Sequence, residues 1–160
     1  MKSAATLLAA VVALLCASGA RADGDAILGI WKTEPDEYGY AHVEISEANG
    51  KYHGQIVWLS EPEYPPDDEE GMGGQPKADR NNPDPDLRTL PIVGLKLIKS
   101  FEFAGKDQWK RGTVYDPKDG KTYKCVIKLQ GDGTLKVRGY VGISLFGRTT
   151  RWTRPDNEDD

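Results

Sequence analysis

The sequence has 160 residues, with 25 acidic and 21 basic side chains and a formal net charge of −4 at pH 7. This length suits one domain with a single hydrophobic core, and the acidic balance disfavours nucleic acid as a partner. The apolar run at residues 7–15 is far shorter than the about 20 residues of a bilayer-spanning helix, so no transmembrane span is expected.

Residues 1–22 have the pattern of a cleavable signal peptide. Met1 and Lys2 supply a positive n-region, residues 7–15 supply an apolar h-region, and residues 20–22 form a small-x-small cleavage site. The mature chain, residues 23–160, is therefore expected to be a single domain that is periplasmic or secreted.

Apolar and polar side chains alternate with a period of two along most of the mature chain, which predicts strands. Eight strands are predicted, at residues 29–33, 41–46, 51–59, 96–103, 108–115, 121–130, 134–141 and 147–153. The short connections contain turn residues, and Asn49-Gly50 is typical of a tight hairpin. The fold class is therefore all-β, an up-and-down antiparallel barrel of about eight strands. Its interior is either filled by side chains or holds one small ligand.

Residues 60–91 form one long connection that breaks this pattern. They contain seven of the ten prolines, with nine acidic and three basic side chains. A loop of this length is usually functional or disordered. Residues 91–95 at its end are apolar again and are a candidate plug for one end of the barrel. The tail at residues 155–160 is acidic and is expected to fray.

The chain after this loop is basic, because residues 92–154 carry 14 basic and 5 acidic side chains. Attraction between these charges and the loop could fold the loop over the barrel as a salt-sensitive lid. The alternatives are a contact with anionic headgroups in the cell envelope, or a plain solvated face.

Cys125 is the single cysteine of the mature chain. It alternates with polar neighbours in a predicted strand, which places the thiol on the apolar face together with Tyr123 and Ile127. This pattern favours a buried structural cysteine, and a redox thiol or a dimer bridge is the alternative.

No catalytic residues are predicted. The two histidines, His42 and His53, lie on predicted strands without the spacing of a metal site or a catalytic triad. The loop and tail hold most of the carboxylates, and solvation makes these poor acid–base catalysts. Their oxygens suit calcium but do not have EF-hand spacing, so neither a metal nor a cofactor is predicted.

Aromatic, cationic and hydroxyl side chains share one face of two predicted strands. These faces read Trp109, Arg111, Thr113 and Tyr115 on one strand, and Arg148, Thr150 and Trp152 on the other. Turned inward, they would line a small-molecule cavity with apolar walls and a few polar groups. Turned outward, they would be ordinary solvated faces, and alternation alone does not decide. The candidate ligand-binding residues are Trp58, Trp109, Tyr115, Tyr123, Arg138, Arg148 and Trp152.

Several long motifs occur in an order that resembles a known bacterial family. They are Gly29-Ile30-Trp31 and residues 54–59, 82–88, 91–95, 112–123 and 138–154. Over residues 28–154 the sequence is similar to the family called domain of unknown function 2147. The resemblance implies an exported protein with a lipocalin-like barrel, and it carries no agreed activity and no catalytic residues. The acidic stretch at residues 67–75 is longer than the family pattern.

The Gly-x-Trp start also resembles lipocalins, in which this tryptophan closes the barrel floor and a basic residue of the last strand packs across it. The resemblance implies that Trp31 closes the floor and that Arg151 or Arg154 is its basic partner. An arginine over an indole ring stabilises by about 0.5–2 kcal/mol. This pair would be architectural.

The sequence therefore favours a binder of a small apolar or amphipathic ligand in the cell envelope. The alternative is an interaction module, in which the acidic loop 60–91 contacts another envelope protein from a rigid barrel. An enzyme is the least supported interpretation, because no histidine or carboxylate is grouped with a catalytic partner.

Overall fold

The computed structural model describes residues 24–142 and 147–156. The predicted signal peptide, residues 1–22, and residues 157–160 of the acidic tail lie outside the described residues. Eight antiparallel strands form one sheet in chain order. They are β1 Gly29–Lys32, β2 Ala41–Ala48, β3 Lys51–Leu59, β4 Lys96–Phe103, β5 Gln108–Asp116, β6 Lys121–Leu129, β7 Leu135–Tyr140 and β8 Gly147–Trp152. The predicted all-β meander is confirmed, and every strand boundary lies within two residues of the prediction.

The sheet curls until its first and last strands meet. Lys32 and Thr153 exchange two backbone hydrogen bonds of 2.8 and 3.0 Å, which join β1 to the residue that follows β8. Two 3-10 helices, Asp25–Ile27 and Pro85–Leu87, accompany the strands. Within the described part of the chain, no helix has the length and apolar character needed to cross a membrane.

The turn residues of the hairpins and the alternation of apolar and polar side chains along the strands together determine where the hydrophobic core lies. Asn49 and Gly50 both have positive φ, 56° and 77°, as the tight turn between β2 and β3 requires. Alternate residues then point to opposite faces of each strand, so one face collects the apolar side chains. The largest fully buried side chains on this inner face are Trp31, Trp109, Phe101, Ile45, Ile98, Ile127 and Leu135.

A β-bulge in β5 changes which residues face inward. Trp109 pairs with Ile127 and Gly112 pairs with Cys125, so three steps along β5 match two along β6. Arg111 lies in the bulge with φ 64°. An extra residue reverses the alternation beyond it. The prediction of one continuous face on strand 108–115 is therefore wrong: Trp109 faces inward, whereas Tyr115 lies on the outer face.

The long loop is ordered and fastened to the barrel wall. Two isolated bridges, Glu63 with Pro76 and Ala78 with Pro91, hold it together. Residues 92–95 do not form a plug, because Gly94 donates to the Ile56 carbonyl at 2.8 Å and the Ile56 amide donates to Leu95. This segment extends the pairing of β3 with β4, so it belongs to the wall.

The ion pairs of this loop do not attach it to the basic strands. Arg80 pairs with Asp68 at 2.8 Å and with Glu70 at 3.7 Å, and it lies over the ring of Tyr64. All three partners belong to the loop itself. Among the described residues, no ion pair joins the loop to a lysine or arginine of a strand. The predicted lid, held over the barrel by attraction between the acidic loop and the basic strands, is therefore not observed there.

Candidate functional site

One end of the barrel is closed by the 3-10 helix Asp25–Ile27. Ile27 is fully buried, and its carbonyl accepts a 2.7 Å hydrogen bond from the indole of Trp31. The indole of Trp109, also fully buried, donates to the Gly24 carbonyl at 3.2 Å. Each ring fills the interior while its N–H holds the helix across the strand ends. We call this region, from Gly24 to Trp31 with Trp109, the closed end.

Arg154 lies across the same floor. Its guanidinium is 3.7 Å from the centre of the Trp31 ring. It also donates to the carbonyls of Ala26, Leu28 and Ile30 at 2.9–3.2 Å. Burial lowers the pKa of this guanidinium from its usual value. Arg151, the other candidate partner, instead pairs with Asp132 at 2.9 Å on the outside of the sheet.

The inner face changes character along four consecutive strands. From the closed end outward it reads Trp109, Gly112, Val114 on β5; Ile127, Cys125, Tyr123 on β6; Leu135, Val137, Gly139 on β7; and Trp152, Thr150, Arg148 on β8. The last residue of each series is accessible, and the first is buried. We call the end defined by Val114, Tyr123, Gly139 and Arg148 the mouth.

The mouth combines a cation, a phenol and a glycine. Arg148 lies opposite Gly139, where an added Cβ would meet Tyr123 and Val114 only at ordinary contact distance, 3.5 Å. The Tyr123 hydroxyl donates to the Asp119 carboxylate, and this bond, with burial, raises the pKa of Tyr123 to about 12. The phenol therefore stays protonated at neutral pH. The mouth can offer hydrogen bonds and one positive charge to a bound molecule.

The structure divides the seven candidate ligand-binding residues into three groups. Trp109 and Trp152 face inward but are buried in the core. Tyr123 and Arg148 face inward at the mouth. The other three lie on the outer face: Trp58, Tyr115 and Arg138. Of the two orientations that the sequence left open, Arg148, Thr150 and Trp152 of β8 take the inward one. Trp58, Tyr115 and Arg138 take the outward one.

Comparison with known proteins gives the same architecture. Residues 29–154 match the family model described as an uncharacterized protein conserved in bacteria, domain of unknown function 2147. The chain belongs to this family. It is similar, with 28% sequence identity and a TM-score of 0.67, to the solved structure of protein HP1028 from the human pathogen Helicobacter pylori, described as belonging to the lipocalin family. The match covers 82% of this chain and 84% of that chain. No curated protein matches the sequence.

In this member of family 2147, Trp58 belongs to an aromatic cluster on the outer face. Its ring lies 4.7 Å from His42 and 5.5 Å from Tyr40, measured between centroids. A bulge in β3 between Ile56 and Trp58 turns Trp58 to the outer face, where His42 already points by alternation with Val43. His42 is buried beneath these rings, and His53 accepts a 3.3 Å hydrogen bond from the Ser100 amide. Both histidines therefore serve the packing of β2, β3 and β4.

Tyr115 anchors the long loop. Its hydroxyl donates to Asp79 at 2.7 Å, and the Asn82 amide donates to the same carboxylate at 2.6 Å. Asp79 is 1% exposed. Burial, followed by the hydrogen bond to Asp79, raises the pKa of Tyr115 above that of a free tyrosine. Carboxylates of this loop suit calcium by their chemistry, and no local sequence pattern indicates that Asp79 has a tyrosine partner 36 residues away.

Cys125 is buried on the inner face of β6, with 1% of its surface exposed. Burial raises the pKa of the thiol to about 12. Because the thiolate is the reactive form, this cysteine is inert in the folded protein near neutral pH. The lipocalin-like barrel thus uses Cys125 as a small core residue between the closed end and the mouth.

Proposed function

We propose that the exported protein binds a small amphipathic ligand at the mouth of the barrel, in the periplasm or outside the cell. A lipocalin-like fold is consistent with binding of small hydrophobic molecules. The observation that carries the proposal is the accessibility of the inner face at Val114, Tyr123, Gly139 and Arg148, while the other end of the same strands is filled.

The chemistry of the mouth indicates a ligand with an acidic or strongly polar group. Arg148 is an electrostatic neighbour of Asp36. Burial raises the pKa of the Asp36 carboxyl group, but the hydrogen bond from Lys118, with a smaller contribution from Arg148, lowers it overall. Asp36 is held by Lys118. A carboxylate entering the mouth would therefore meet the guanidinium of Arg148, whose electrostatic neighbour Asp36 already pairs with Lys118.

The size of the site is limited by the core. Trp109, Ile127, Leu135 and Trp152 occupy the interior below the mouth. An apolar chain can therefore pack against Val114 and Tyr123 but cannot reach the closed end. We expect affinity to stop rising early as the length of the ligand chain increases.

The experiment is a titration of the mature protein with monomeric decanoate, followed by tryptophan fluorescence and by native mass spectrometry. Arg148→Gln should weaken binding at least tenfold, because a hydrogen-bonded charge pair contributes about 1.5–3 kcal/mol. Gly139→Val should also weaken it, because the new side chain fills the space beside Tyr123 and Val114.

The matched control is Arg138→Gln, which removes an arginine from the outer face of the neighbouring strand. It should leave decanoate binding unchanged. Equal loss in the Arg138 and Arg148 variants, or no binding by the unaltered protein, would overturn the proposed site. Fractionation of cells that express the full chain tests export: a product retained in the cytoplasm with its first 22 residues would contradict it.

A second candidate function rests on the loop 60–91. Three of the exposed large apolar side chains lie on or beside it: Leu87, Leu90 and Val93, with 40–49% of their surface accessible. Leu87 and Leu90 are chain neighbours of Arg88 and Thr89, which line a groove of about 340 Å³ together with residues that include Met72 and Lys77. Such a surface fits a protein partner in the envelope.

Deletion of residues 67–75 separates this alternative from ligand binding. The segment projects from Tyr64, whose backbone bonds to Gly74 and Gln75 close its base. The deletion should abolish capture of a partner and leave decanoate binding intact. Loss of decanoate binding on deletion would show that loop and mouth are not separate.

A further inference from the structure

The outer face of β6, β7 and β8 is rich in basic side chains. Ten positions of these strands point away from the core, and they carry five basic side chains and no carboxylate. The basic members are Lys124, Lys128, Lys136, Arg138 and Arg151. We call these five residues the cationic face. Val126 and Tyr140, both half-buried, lie among them.

Like charges on this face are directly opposed. Lys128 pairs with Lys136 across β6 and β7, and Lys136 pairs with Arg151 across β7 and β8. Side chains opposite one another on neighbouring strands lie about 5 Å apart at Cβ, and like charges in that position are destabilising. Such a row lowers the stability of the isolated protein, and an anionic partner would relieve it.

Three of these five cations have no carboxylate partner among the described residues. In residues 24–142 and 147–156, Asp132 pairs with Arg151, while no carboxylate lies within 4.0 Å of Lys124, Lys128 or Lys136. The acidic loop does not cover them, because its ion pairs are internal and it is fastened at Tyr115 of β5. A complement to Lys124, Lys128 and Lys136 therefore has to come from outside residues 24–142 and 147–156.

We propose that the cationic face docks on an anionic phospholipid bilayer. Five cations on one rigid sheet surface match a plane of phosphate groups, and each basic residue near an anionic membrane surface adds to binding. Val141 follows β7 directly and is 68% exposed, so the same hairpin offers an apolar side chain to the headgroup region. This inference does not depend on the proposed ligand, since the mouth and the cationic face are opposite sides of the same strands.

The test is cosedimentation of the mature protein with phosphatidylglycerol vesicles and with phosphatidylcholine vesicles. Binding to the anionic vesicles alone, weakened by added salt, is expected. Lys128→Gln with Lys136→Gln should reduce the partition coefficient about 25-fold, because each lysine contributes about fivefold. The matched control, Lys51→Gln with Lys96→Gln, removes the same charge from exposed positions on β3 and β4 and should change nothing.

A second measurement keeps the test informative if a variant binds poorly for structural reasons. Lys136→Gln removes both like-charge pairs, so it should raise the melting temperature by about 1–2 °C at low salt. Lys96→Gln should not. Lower stability in Lys136→Gln would overturn the inference. Three other results would also overturn it: no binding to phosphatidylglycerol, equal losses in the two double variants, or equally strong binding to soluble polyglutamate or lipopolysaccharide.

Discussion

The closed end and the mouth are built from the same strands but have opposite properties. At the closed end, Trp31 and Trp109 are 1% and 0% exposed, and their indole N–H groups donate to the carbonyls of Ile27 and Gly24. At the mouth, the same inner face ends in Arg148 and Gly139. The same strands therefore carry a filled end that stabilises the barrel and an accessible end where we propose that a ligand binds.

Among the variants that test this comparison, Trp31→Ala should lower the free energy of unfolding most. Trp31→Ala leaves a large cavity at the closed end and is expected to cost about 3–5 kcal/mol in free energy of unfolding. Trp58→Ala, at a position that is 39% exposed, should cost about 1 kcal/mol. Urea unfolding of both variants measures the two values. Similar losses would show that the aromatic filling of the closed end is not the main source of stability.

The second largest effect is a difference in stability between variants of Arg154 and Arg151, the two arginines that the sequence offered as partners of Trp31. Arg154→Gln loses the ring contact with Trp31 and three carbonyl partners, so we expect a loss of about 1–3 kcal/mol. Arg151→Gln breaks an ion pair whose side chains are both 57% exposed, and should cost about 0–1 kcal/mol. Thermal melting of both variants checks the order, and the reverse order would contradict the closure at Arg154.

The smallest of these effects concerns the loop beside the mouth. Tyr115→Phe leaves the buried Asp79 with one partner fewer, at an expected cost of about 1–2 kcal/mol near pH 7. Tyr38→Phe, at an exposed ring, is the control and should cost almost nothing. Hydrogen exchange should show faster opening of residues 76–82 in the Tyr115 variant only. Unchanged exchange would mean that other contacts hold the loop.

The raised pKa of Tyr115 also implies that the stability of the protein falls at alkaline pH. Folding raises the pKa of Tyr115, so its contribution is fully present below pH 10 and is lost as the pH rises towards the folded-state pKa. Burial raises the pKa of Tyr52 in the same direction. Urea unfolding between pH 9 and about 11.5 should show falling stability, with a shallower fall in Tyr115→Phe. An identical slope in both proteins would contradict this role of Tyr115.

Local patterns were sufficient for much of the architecture. The strand boundaries follow from alternation, and the turn at Asn49-Gly50 follows from the positive φ that these residues tolerate. The burial of Cys125 follows from its apolar neighbours at every second position. The motifs around Trp31 indicated a lipocalin-like barrel. Each of these inferences concerns residues within a few positions of one another.

The candidate site was harder to predict, because two bulges change which side chains face inward. The extra residue at Arg111 places Tyr115 on the outer face, and the irregular pairing of His42 does the same to Trp58. No sequence period marks a bulge, since it is produced by packing. Gly112 illustrates this, because a Cβ there would lie 2.1 Å from the Phe101 ring.

The sequence by itself determined that this protein is a β-barrel with an acidic loop and a basic second half, because strand alternation, turn chemistry and charge are local properties of the chain. The tertiary structure alone decided which end of the barrel is filled, that Arg148 faces inward while Arg138 faces outward, and that the loop is held by Asp79 on Tyr115. These outcomes depend on contacts between residues far apart in the chain. Such contacts are chosen by close packing, which no single segment encodes.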